Sequence, residues 1–67
     1  MTKYLGTYES LYGPIGVWKG LGINRVVLEF QDGRSGSVRA SVEEGWIEPE
    51  DAEEIMFWVV ERYLEGK

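Results

Sequence analysis

Hydrophobic residues occupy every second position from Val26 to Phe30, with Val26, Leu28 and Phe30 pointing one way. Val38, Ala40 and Val42 resume the alternation after Asp32-Gly33, which predicts two paired strands. A two-residue Asp-Gly turn would set Val27 opposite Val38 and Leu28 opposite Ser37, placing the apolar side of one strand against the polar side of the other. A three-residue loop, Gln31-Asp32-Gly33, pairs Phe30 with Arg34 and brings Val26 opposite Val38, so the apolar faces agree. The prediction is therefore a type I turn with Gly33 in the left-handed region as a glycine bulge.

Upstream, Lys3 to Leu11 reads as a first strand, with Tyr4, Gly6 and Tyr8 on one side and Leu5, Thr7, Glu9 and Leu11 on the other. After Glu43-Glu44-Gly45-Trp46 the period changes. Pro49 suits the first position of a helix, Glu50, Asp51, Glu53 and Glu54 suit its N-terminal end, and Gly66 suits its stop. At about 100° per residue, Ala52, Ile55, Met56, Val59 and Tyr63 make the core stripe, with Phe57, Val60 and Leu64 as a shoulder and Trp58 outside it. The expected architecture is one α+β domain. It consists of a small antiparallel sheet of three to four strands over about residues 3–42, with one C-terminal amphipathic helix over about 49–65 packed on one face.

Composition narrows the ways such a fold can hold together. Sixty-seven residues form one domain, and a chain of that size buries only about 60% of the surface exposed on unfolding. Cysteine and histidine are absent, so neither disulfides nor the usual zinc ligands act as staples. Stability falls to packing, supplied by three tryptophans, four tyrosines and two phenylalanines. Self-association would enlarge that core, and a homodimer is the expected state. The longest apolar run, Ile55 to Val60, is far shorter than a bilayer span, and the first ten residues lack the apolar core of a signal peptide. A cytoplasmic location is expected.

The glycine-rich stretch from Tyr12 to Arg25 poses the question of phosphate binding. Gly20-Leu21-Gly22 supplies the first two glycines of a dinucleotide fingerprint, but Arg25 stands where the third belongs. Lys19 precedes Gly20 rather than following a glycine as in a nucleotide loop. The glycines are expected to serve bends and close backbone contacts instead. Catalysis is equally short of parts: Ser10, Ser35, Ser37 and Ser41 have no histidine as base, and the calcium-loop pattern is missing. No catalytic, cofactor-binding or metal-ligating residue is assigned, and a non-enzymatic protein is expected.

Residues Gly13 to Gly33 resemble the KOW element of ribosomal and transcription-elongation proteins, in which a glycine-bearing loop leads into two strands. The resemblance covers about a third of the chain and implies an SH3-like barrel that binds RNA or RNA polymerase. The net charge of −5 points instead to a basic protein partner and away from nucleic acid. Glu50, Glu54, Glu61 and Glu65 fall within about 60° on one side of the predicted helix, an acidic ridge with a spacing similar to that of successive phosphates. With Trp58 beside them, they form the candidate partner-binding site of a regulatory or inhibitory module that masks a basic or nucleic-acid-binding surface. Two alternatives stand beside it. Tyr4, Tyr8, Tyr12 and Trp18 would stack single-stranded bases if they shared an open sheet face. The chain would otherwise be a structural subunit of a homo-oligomer.

Overall fold

The structure, a computed structural model, describes residues 3–22 and 25–64, with side chains through Arg62. Four antiparallel strands, β1 (Lys3–Ser10), β2 (Gly13–Lys19), β3 (Val26–Glu29) and β4 (Ser35–Ser37), lie in the order of the sequence. Two helices follow, α1 (Val38–Glu43) and α2 (Pro49–Val59), and a π-helical turn over Val60–Leu64 extends α2. This is the α+β architecture anticipated from the pattern, an open sheet with a C-terminal helix across one face. Among the described residues the strands make an open sheet rather than the barrel implied by the KOW resemblance, and β4, only three residues long, leads straight into α1.

The loop between β3 and β4 has the anticipated three residues. Phe30 and Arg34 are linked by a 2.8 Å bond from the Phe30 N–H to the Arg34 carbonyl, the Gly33 N–H closes the turn onto Phe30 at 3.0 Å, and Gly33 has φ +97°. Beyond Ser37, however, the expected strand is a helix, and the sheet ends at residue 37 rather than 42. Ser37 accepts a hydrogen bond from the Ala40 N–H through its side chain and so caps α1. The buried Ser41 hydroxyl donates back to the Ser37 carbonyl. Val38 and Val42 are four residues apart, so they share a face in a helix as well as in a strand, and the cap decides between the two. At the far end, Gly45 N–H bonds to Val42 and Trp46 N–H to Ser41, a Schellman stop.

The core lies between the sheet and α2. Ile15 and Val17 of β2, Val26 and Leu28 of β3, Leu5 of β1, Ile47, and Ile55 and Val59 of α2 are buried together. Full burial of each such side chain is worth about 1.5–3 kcal/mol. The linker between the helices is pinned by Trp46, whose ring meets Phe30 edge-on at 5.4 Å and lies under the Arg34 guanidinium at 4.9 Å.

A bulge between Tyr4 and Gly6 changes which residues of β1 face the helix. Tyr4 lies on the open face against Trp18, with ring centroids 5.2 Å apart, and its hydroxyl meets Thr7 on that side. After the bulge, Gly6 and Tyr8 point to α2, and Leu5 is buried beneath it. Strict alternation had put Tyr4 and Tyr8 together. The bulge separates them.

Candidate docking surface

α2 begins at Pro49, as the sequence suggested, with Glu48 at its cap. Three carboxylates there take tyrosine hydroxyls. The single Tyr8 O–H proton is shared between Glu54 Oε1 at 2.6 Å and Asp51 Oδ1 at 3.0 Å, while Asp51 Oδ2 accepts the Glu48 N–H at 3.2 Å. Tyr12 donates to Glu48 Oε2 at 2.8 Å. The bond to Glu54, then burial, then the bond to Asp51, hold the Tyr8 pKa well above the ordinary tyrosine value. The bond to Glu48 raises that of Tyr12. The acidic start of α2 is thus used partly to fasten the helix to β1 and the β1–β2 turn.

Trp58 is not an exposed anchor. It is half-buried on the β1 side of α2, and its ring lies over Gly6 so closely that a Cβ there would come within 2.6 Å of it. The exposed aromatic is its neighbour, Phe57, at 70% exposure, and Val60 is also open at 41%. Phe57 and Val60 of the shoulder assigned from the sequence therefore belong to solvent, and the side chains of Tyr63 and Leu64 lie outside the described residues. At about 100° per residue, Phe57 stands some 160° around the helix from the buried Val59. Glu50, Glu53, Glu54 and Glu61 are all exposed, and with Phe57 they span roughly 100° of the outer surface. The acidic ridge thus has a phenylalanine at its centre. Glu54 sits at its sheet-side edge, tied to Tyr8. The predicted helix end and Glu65 lie outside the described residues.

Charge along the chain reinforces this face: between Arg39 and Arg62 there are eight carboxylates and no lysine or arginine. Four aromatic residues considered as a single surface divide into two pairs. Tyr4 and Trp18 share the open sheet face, where the Trp18 Nε1–H donates to Glu29 at 3.1 Å, and Tyr8 and Tyr12 turn to the carboxylates of α2. Gly13 and Gly16 of the glycine-rich stretch lie in β2, inside the sheet between β1 and β3, Gly20 and Gly22 follow that strand, and Ile23 and Asn24 lie outside the described residues. Among the described residues, no group of three or more acidic side chains is gathered to hold a metal ion, and no helix is long and apolar enough to cross a membrane. The chain matches no protein-family model, no curated protein and no solved structure.

Proposed function

We propose that this protein is a small non-enzymatic binding or regulatory module that acts in the cytoplasm by docking the outer face of α2 on a basic surface of another protein. The observation that carries this reading is Phe57, 70% exposed on a helix whose flanking outer positions are glutamates. An exposed aromatic ringed by charge combines an apolar anchor with long-range attraction, the two ingredients that give an interface its affinity and its on-rate. Masking of a nucleic-acid-binding surface is the sharper form of the reading, supported by the run of carboxylates free of basic residues between Arg39 and Arg62.

The test is retention of proteins from native lysate on the immobilised protein at low salt, followed by a salt gradient. The reading expects a basic protein released as salt rises, and loss of that protein when Glu50→Lys and Glu61→Lys are combined. Retention that ignores both salt and charge reversal contradicts it.

A second reading rests on the open sheet face, where Tyr4 is 51% exposed beside Trp18. Such a pair suits base stacking, but Glu9 and Glu29 lie exposed on the same face and repel phosphate. Quenching of tryptophan fluorescence by single-stranded oligothymidine at low salt would favour this use, and an unchanged spectrum would exclude it.

A further inference from the structure

Both helices pack on the core side of the sheet, through Val38 and Val42 of α1 and Ile55 and Val59 of α2. The other face is left open, and its centre is apolar. Strand register sets Tyr4, Trp18 and Val27 in one row across β1, β2 and β3, where a sheet that meets water ordinarily carries polar side chains. Tyr4 is 51% exposed, with Trp18 and Val27 half-buried beside it.

Two residues from Val27 in each direction, the same face carries opposite charges. On one side lies Arg25. A Cβ on Gly20 would come within 2.8 Å of Arg25 Cγ, 3.0 Å of Arg25 Cδ and 3.1 Å of Val27 Cγ2, so the arginine stem crosses Gly20 next to Val27. On the other side lies Glu29, whose Oε1 accepts the Trp18 Nε1–H at 3.1 Å and whose Oε2 has no partner among the described residues. Arg25 likewise makes no ion pair with a described residue. At about 3.4 Å per residue, each charge stands about 7 Å along the chain from Val27.

Opposite charges spaced equally about an apolar centre are self-complementary. A two-fold axis that lies between two such sheets and runs across their strands reverses strand direction. It lays the Val27 row of one copy on that of the other and brings Arg25 of each copy over Glu29 of its mate. We infer that the open sheet face is the contact of a homodimer, in which two sheets pack about 10 Å apart. The Tyr4–Trp18 pairs are buried at its centre, and an Arg25–Glu29 pair closes each end. The contact lies on the side of the sheet away from α2, so it stands apart from the docking face proposed above and leaves that face free.

Sedimentation velocity over a wide concentration range tests the contact. Wild type is expected to dimerise. Arg25→Glu and Glu29→Arg each set like charges across both ends and are expected to raise the dimer dissociation constant about a hundredfold. Mixed together, the two variants regain opposite charges at both ends, so a heterodimer of near wild-type affinity should form. A chain carrying both changes should dimerise with itself for the same reason. Both positions are exposed, unchanged far-UV circular dichroism is expected, and Phe57→Ala should leave the dimer intact. A wild type that stays monomeric, single variants that dimerise like wild type, or a mixture that stays monomeric would overturn the inference. So would a dimer abolished by Phe57→Ala, which would move the contact to α2, or a monomer whose tryptophan fluorescence is quenched by oligothymidine, which would give the face to nucleic acid.

Discussion

Trp58 and Phe57 are adjacent in sequence and meet opposite fates. On the sheet-side flank of α2, Trp58 covers a glycine and Tyr8 fastens the helix through two carboxylates; on the outer flank, Phe57 is open to water among glutamates that contact no hydroxyl except at the Glu54 edge. The same residue types are present on both flanks, aromatic and acidic. Position around the helix decides whether they hold the fold or lie open to water. An aromatic ring is consumed by the fold where the opposing strand has removed its own side chain to receive it, as β1 does at Gly6.

That contrast can be broken from the inside outward. Ile55 is fully buried under the sheet, and Ile55→Ala is expected to cost about 3 kcal/mol in urea unfolding. A result near zero would mean that α2 is not seated on this core. Gly6→Ala should cost about 2 kcal/mol, because the new Cβ would meet the Trp58 ring and φ there is +153°. The Trp58 dependence can be isolated by making the same change in a Trp58→Leu background, where the steric part of the cost should shrink. Tyr8→Phe is expected to cost about 1 kcal/mol through its lost bonds to Glu54 and Asp51. Because the folded Tyr8 pKa lies above the ordinary value of 10.0, its contribution is fully present below pH 10 and is lost as pH rises from there towards the folded pKa. Alkaline unfolding should therefore lose part of its pH dependence in Tyr8→Phe. Smallest is Phe57→Ala, which should change stability by no more than about 0.5 kcal/mol while weakening docking. A larger loss of stability would place Phe57 in the fold after all.

Where one physical rule acted alone, the fold was legible in the sequence. The register of the β3–β4 hairpin followed from matching apolar faces, and the start of α2 followed from Pro49 and the carboxylates behind it. Two features escaped because two rules competed. Val38 and Val42 satisfy both periods, and the Ser37 cap with the Gly45 stop, both visible in the sequence, outweighed the alternation. Leu5 was read as one more alternating position, but the bulge beside it turned Tyr4 to one face of the sheet and Tyr8 to the other. Of the glutamates that the spacing places on one side of the helix, Glu50, Glu54 and Glu61 are exposed, Glu53 joins them, and Glu65 lies outside the described residues. The two aromatics exchange exposure relative to the pattern: Phe57, a shoulder of the predicted stripe, stands at a helical angle that opposes it, and Trp58 meets a glycine socket that only the bulge reveals.

The central claim is that the outer face of α2, with Phe57 at its centre, is a protein-docking surface. Its most direct test is a comparison of wild type and Phe57→Ala, equally folded and immobilised at equal density, for the proteins each retains from native lysate at low salt. The account predicts a basic protein held by wild type, released as salt rises, and reduced at least tenfold on Phe57→Ala. The same proteins held to the same extent by both would contradict it.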